Sequence, residues 1–374
     1  MKKKWSTVIN AGIIVLTLVL VLVFGLRGQD PAESVKALSS MGIGWLGLCL
    51  AGYLGFLTCD AMAVGFFLRQ QGYKINPLYM MFVAVIGQFY SNVTPGATGG
   101  QPLQVYYLHK RGVPVGLASS AMVVRFFSFQ FMLSVIGTVM WITHSGYIAA
   151  QVGGNMWFLV LGFTYNAVMV SLLVLVTLRR GIVGRLIDLC VSLGIKLRLV
   201  RKPEETRRRA KASVDSFHES IQILISRPRD LIVQMLIGAA QLMFLMSILY
   251  FIYLGLHQTG ATFGEIVSMD IMEYFSAAWM PMPGASGAQE VTFSLYFGGI
   301  FSENVRLVAL LMWRFFTYYL SLIVGFVVLL VYGWRAGADP IKERELAEKA
   351  RADAEAGTDM EDIEHMMENG DVSR

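Results

Sequence analysis

Long apolar runs separated by short polar joints make up most of the chain. Continuous apolar stretches run from Val8 to Leu26, Trp45 to Leu68, Leu117 to Ile142, Trp157 to Leu178, Leu231 to Leu256 and Leu307 to Tyr332. Each is about as long as a helix needs to be to cross a bilayer. Two further stretches, Asn76 to Thr94 and Phe263 to Met282, are apolar but end in glycine-rich segments. The chain then returns through Leu103 to Leu108 and through Val291 to Phe301. The pattern predicts an all-α polytopic membrane protein. It has about six full spans plus two glycine-rich re-entrant or broken helical hairpins.

The glycine-rich segments are copies of each other. Pro95 to Gln101 reads Pro-Gly-Ala-Thr-Gly-Gly-Gln, and Pro283 to Gln289 reads Pro-Gly-Ala-Ser-Gly-Ala-Gln. They lie 188 positions apart, with five of seven residues identical. A second match follows each: Arg125-Phe126-Phe127-Ser128 and Arg314-Phe315-Phe316-Thr317. Two matches in the same order at nearly one offset mark an internal repeat. At that offset the Trp45 span aligns with the Leu231 span, so each unit reads span, hairpin, span. Repeat 1 covers about 43–142 and repeat 2 about 231–333.

Composition agrees with a membrane protein. Hydrophobic residues make up 55% of the chain, charged residues only 15%, and mean hydropathy is +0.56. That is too apolar for a soluble domain of this size. Charge sets the topology, because cytoplasmic loops are rich in Lys and Arg. Lys2, Lys3 and Lys4 precede the first run, as in a signal peptide. That run is long, however, and Gly25-Leu26-Arg27 is not a small-x-small cleavage site, so a retained first helix is expected. With the N-terminus inside, Arg69 and Lys74, then His109-Lys110-Arg111, all fall inside if the first hairpin returns. So does the segment from Arg179 to Lys211, with eleven Lys or Arg against three acids. The C-terminus is then also cytoplasmic. The second hairpin opens from the opposite side, which makes the repeats inverted. Inverted repeats with broken helices near the midplane are a recurrent design of secondary transporters. The transmembrane region covers 1–338, with a basic cytoplasmic loop at 179–228. An acidic tail at 339–374 is too poor in apolar residues to form a core.

The tips are the first candidate site. Non-helical backbone at membrane depth is tolerated only inside protein or beside a wet cavity. Pro95 and Pro283 end the incoming helices. Gly96, Gly99, Gly100, Gly284 and Gly287 allow turning and close approach. The helix restarted after each tip directs free N–H groups inward, an arrangement that attracts phosphate or carboxylate. Asn92 and Gln101, with Gln88 and Thr94, are polar enough to line a cavity. The alternative is a tight turn needed only for packing.

The second group is ionisable. Arg125 and Arg314 lie inside apolar spans, where a charge rarely faces lipid. They suit an anionic head group met from both halves. Equally, they suit buried ion pairs to Glu290, Glu273, Asp270 or Asp60. Asp270 and Glu273 share a helical face and fit a cationic group, a coupling proton or neutralisation of the arginines. Asp60 has Ile248 at its repeat position, which favours helix pairing.

Other features carry less. The basic loop reads as a topology signal with lipid contact rather than a nucleic-acid site. Cys49, Cys59 and Cys190 read as packing residues. The histidines are scattered, so no metal site is expected, and no cofactor motif occurs.

Asn92-x-x-Pro95-x-x-x-Gly99-Gly100, Arg111-Gly112-Val113, Pro283-Gly284-x-x-Gly287-x-x-Glu290 and Arg314 together resemble the transmembrane, flippase-like region of the lysylphosphatidylglycerol synthase family. The resemblance covers roughly residues 8–335. It implies a bacterial inner-membrane protein that moves an anionic or aminoacylated phospholipid between leaflets, which protects against cationic antimicrobial peptides. The family's full synthases add a large soluble lysyltransferase domain. Here only about 40 residues follow the last span, so the chain resembles the translocating half and a lysyltransferase activity is disfavoured. Three alternatives stay open: a transporter of another lipid-linked anion such as a polyprenyl phosphate, a non-transporting partner of a lipid-modifying enzyme, and a head-group enzyme. The expected partner is membrane phospholipid, with a separate synthase and a homo-oligomer left open and no nucleic acid.

Overall fold

The computed structural model describes Lys36 and residues 38–178, 218–280 and 282–335. The first predicted span, the basic loop up to residue 217 and the tail from residue 336 lie outside the described residues. The chain divides into one unit up to Phe326 and a second from Val327, which adds to the described residues only the end of the last helix.

Every regular element among the described residues is helical. Repeat 1 comprises α1 (Ile43–Gln70), α2 (Pro77–Val93), a tip at Pro95–Ala97, α3 (Gly100–His109) and α4 (Val115–Thr143). Next come α5 (Ser145–Val152) and α6 (Met156–Leu178). Repeat 2 comprises α7 (Pro228–Gly255), α8 (Phe263–Ala277), a tip at Pro283–Ala285, α9 (Ala288–Tyr296) and α10 (Glu303–Arg314). A π-helical turn at Phe315–Tyr319 then leads into α11 (Leu320–Arg335). Five helical stretches among the described residues are long and apolar enough to span a bilayer: Ile43–Gln70, Val115–Thr143, Ser145–Leu172, Pro228–Gly255 and Val305–Val331.

Local chemistry sets the starts. Pro77 and Pro228 open α2 and α7, where a missing N–H costs nothing. The Asn76 side chain accepts from the Leu78 N–H at 2.8 Å. Thr262 and Glu265 form a reciprocal capping box at the start of α8.

The repeat holds in three dimensions. The two tips, the starts of α3 and α9, and the starts of α4 and α10 each stand 188 positions apart. So do Gly72 and Gly260, which take positive φ in the turns after α1 and α7. Each hairpin is a helix, a tip and a helix that packs back on the first, as the sequence predicts.

The repeats join through α1 and α7, the helix pair with the most extensive contact. Gly52 lets α1 close on α7: a Cβ there would stand 2.9 Å from Ile248 and 3.1 Å from the Phe244 carbonyl. Gly238 of α7 similarly faces the Ser128 backbone of α4 at 2.9 Å. Small residues at such crossings allow the backbone contact that replaces hydrophobic drive inside a membrane. Cys59 packs with Ala63 and Ile237 in the same seam, and Cys49 is buried, as expected of packing residues.

Candidate functional site

The tips of the two hairpins meet. The Pro95–Ala97 turn contacts the Pro283–Ala285 turn, which also touches α2. Both turns have the same unusual backbone. Gly96 and Gly284 have φ of 61° and 56°, and Ala97 and Ala285 have φ of 55° and 48°. An alanine in the left-handed region is strained, so two equivalent occurrences show that the surroundings impose this turn.

After the third residue the copies diverge. Gly287 takes φ of 89°, whereas Gly99 is right-handed at −83°. The restarted helices are also capped differently. At tip 1 the Thr94 Oγ1 accepts from the Gly99 N–H at 2.8 Å and donates to the Tyr90 carbonyl at 2.6 Å. At tip 2 the Glu290 carboxylate accepts from the Gly287 N–H at 2.6 Å. Met282 and Pro102 stand at the repeat positions of Thr94 and Glu290, so neither device has a counterpart. The expected anion position at the second restarted helix is thus occupied by the protein's own carboxylate. Thr94→Ala should remove the first cap alone. A loss of about 1 kcal/mol follows, read as a fall of about 2 °C in the melting temperature of the micelle-bound protein.

Burial separates the tips further. Pro95, Gly96, Ala97 and Thr98 are all exposed, while Pro283, Ser286 and Ala288 are buried. Gly99 and Gly100 hold hairpin 1 shut. A Cβ on Gly99 would stand 2.6 Å from Thr94, and one on Gly100 would run into Ser91 and the Gly87 carbonyl. Gln101, in the first turn of α3, is half-buried.

Arg314 clamps tip 2. It is 2% exposed. Its Nη1 donates to the Gly284 carbonyl at 3.2 Å and to the Gln289 side chain, and its Nη2 donates to Ser286 Oγ at 3.1 Å. Nε lies 2.8 Å from Glu290 Oε1, an ion pair without hydrogen-bond angles. The guanidinium rests 4.5 Å from the centre of the Tyr318 ring. That ring lies so close to Gly284 that any Cβ there would overlap it. The Tyr318 hydroxyl donates to the Asn92 carbonyl, at the end of α2, at 3.3 Å.

Arg125 sits elsewhere. It pairs with Asp60 of α1, whose Oδ1 also accepts from Gln241 Nε2 of α7 at 2.9 Å. Asp60 Oδ2 and Arg125 Nε have no partner. The reason for the different settings is a register change. The Arg-Phe-Phe matches are 189 positions apart, one more than the starts of α4 and α10. One residue rotates a side chain by about 100° around a helix. The second copy also carries the π-turn at Phe315–Tyr319, the turn type that takes up an extra residue. The two arginines are alike in sequence but face different neighbours, and they do not converge on one point.

Asp270 and Glu273 are both buried in α8. Thr292 of α9 donates to Glu273 Oε1 at 2.7 Å, and Oε2 has no partner. Glu273 lies within electrostatic reach of Arg314 and Glu290, and Asp270 within reach of Glu273. Phe82 and Val85 stand at their repeat positions, so the acids belong to hairpin 2 alone.

Sequence reasoning missed Tyr318, Gln241 and Thr292. Tyr318 directly follows a repeated motif and matches Phe129 in that motif's register, so the repeat marks its ring but not its hydroxyl. Gln241 is a polar residue in an apolar span, a weak but available signal.

No curated protein matches the chain. A family model, the lysylphosphatidylglycerol synthase TM region, matches residues 9–325. That description points to a membrane protein of lysylphosphatidylglycerol metabolism, and five apolar helices make the chain multi-pass. With most of its length under this one family model, the chain belongs to the lysylphosphatidylglycerol synthase TM-region family.

Proposed function

We propose that the chain is a lipid translocase of the bacterial inner membrane, moving an anionic or aminoacylated phospholipid such as lysylphosphatidylglycerol between leaflets. The observation that carries this reading is the junction of the tips. Two near-identical turns from the two repeats touch, yet one is partly buried and clamped and the other exposed. A symmetric scaffold gives no reason for that difference. Alternating access does, because inverted halves take unlike conformations in any one state.

In this reading the head group is met first at the exposed tip 1, by Thr98, Gln101 and the N–H groups of α3. Rocking of the halves then exposes tip 2. Its Arg314, a fork suited to phosphate, exchanges protein oxygens for those of the lipid. The acids Asp270 and Glu273 face the amino groups of an aminoacylated head.

The test is leaflet accessibility in reconstituted vesicles carrying fluorescent phosphatidylglycerol, its lysyl form or a polyprenyl phosphate. The expected result is faster crossing of a phosphatidylglycerol or its lysyl form than in protein-free vesicles. Gly284→Ala should return the rate to background, since the added Cβ meets the Tyr318 ring and φ is 56°. Crossing of the polyprenyl phosphate alone would replace the substrate. No crossing of any lipid by well-folded protein would overturn the reading.

A further inference from the structure

Tyr318 touches both hairpins, and its hydroxyl has no counterpart in repeat 1, where Phe129 follows the matching motif. Four observations converge on this side chain. Its ring covers the Arg314 guanidinium at 4.5 Å. The ring lies flush on Gly284, the turning residue of tip 2. Its hydroxyl reaches across to the Asn92 carbonyl of hairpin 1 at 3.3 Å. It lies in the π-turn that follows the register change, so its direction depends on a feature that breaks the repeat. The side chain is 2% exposed.

The partner on hairpin 1 is equally particular. Asn92 lies in the last turn of α2, where carbonyls lack intrahelical donors. The Tyr318 hydroxyl supplies one from the other half of the molecule.

We propose that Tyr318 is the positioning residue of the tip junction: its ring seats the Arg314 clamp on tip 2, and its hydroxyl ties that clamp to hairpin 1. The tips part only when the phenol releases Asn92. Arg314 holds tip 2 through four groups of the same hairpin. Without Tyr318 nothing in that set reports the position of hairpin 1. With it, separation of the hairpins pulls on the ring that covers the arginine. Opening and release of the clamp therefore become one event. This deepens the translocase reading by naming what controls access to the clamp, and its test does not depend on lipid movement.

The experiment places spin labels at Thr98→Cys and Met282→Cys, both exposed positions flanking the junction. Cys49, Cys59 and Cys190 are replaced by alanine, and the full chain sits in lipid nanodiscs. The label distance distribution is compared for Tyr318, Tyr318→Phe and Tyr318→Leu. Tyr318→Phe keeps the ring over Arg314 and removes the bond to Asn92 together with the hydroxyl's bond to Ser286 of tip 2. Ser286→Ala, which removes the second bond and leaves the first, is the control and should leave the distribution near native. The expected result for Tyr318→Phe is a longer-distance population enlarged roughly fivefold, the scale of one neutral hydrogen bond. Tyr318→Leu removes the ring as well and should enlarge it further. A distribution unchanged in Tyr318→Phe overturns the proposal, whatever the transport result. If the distribution shifts but the native protein moves no lipid in vesicles, the positioning role stands and the translocase reading falls.

Discussion

Arg314→Ala is expected to abolish lipid movement and to destabilise the protein by about 3–5 kcal/mol, the cost of breaking a buried ion pair. The size follows from what is left behind. Glu290 is 7% exposed and would be left buried without its counter-ion. Ser286, Gln289 and the Gly284 carbonyl would lose a donor that reaches all three. The double substitution Arg314→Ala with Glu290→Ala removes the stranded carboxyl group and should recover much of the stability. It should recover none of the transport, because the proposed phosphate fork is gone. Arg314→Lys separates charge from shape. An ammonium on a flexible stem cannot address three oxygens in the plane of a guanidinium, so it should leave the fold nearly intact and transport strongly reduced. Thermal unfolding and vesicle assays on all three variants decide this. Native transport in Arg314→Lys or in the double variant would show that the clamp has no part in moving lipid.

Much of this architecture can be read from the residues, and the boundary has a physical basis. The spans show because a bilayer demands long apolar runs, and Pro95 shows because proline stops a helix; Pro283 opens its tip, but α8 already ends at Ala277. The 188-residue offset survives in the structure down to Gly72 and Gly260, a pair the short motif match does not include. Ion pairing of the buried arginines is one of the two readings their apolar setting allows, and the pairing with Asp60 and Glu290 realises it. The direction of each arginine is not legible. One inserted residue turns Arg314 toward its own tip and leaves Arg125 facing α1, and sequence spacing at nearly equal offset hides this. The unequal burial of the tips is also invisible, since seven nearly identical residues give no sign that one copy is covered. The role of Tyr318 lies beyond reach for a related reason: its ring is matched by Phe129, and the hydroxyl that joins the halves has no reason to be repeated in both.

The pair Asp60–Arg125 should behave in the opposite way to Arg314. It joins α1 and α4 of repeat 1, and through Gln241 it reaches α7 of repeat 2. Asp60 is fully buried, so either single substitution strands a charge in an apolar seam. Asp60→Leu and Arg125→Leu should each cost about 3–5 kcal/mol. Replacing both with leucine removes two desolvated charges together and fills the space with apolar volume. Such exchanges of whole buried pairs are often neutral or stabilising. The double variant should therefore melt above either single variant, short of the native temperature by the cost of the buried Gln241 amide it leaves unpaired, and a double-mutant cycle should show strong coupling between the two positions. Transport should survive in the double variant, unlike the Arg314 and Glu290 double. This contrast assigns the roles: one arginine pins three helices, and the other holds the moving tip. Arg125 keeps an unpartnered Nε, so the opposite outcome has a clear meaning. A stable double variant that moves no lipid would place Arg125 in contact with the head group, with Asp60 as the internal anion that occupies it between substrates.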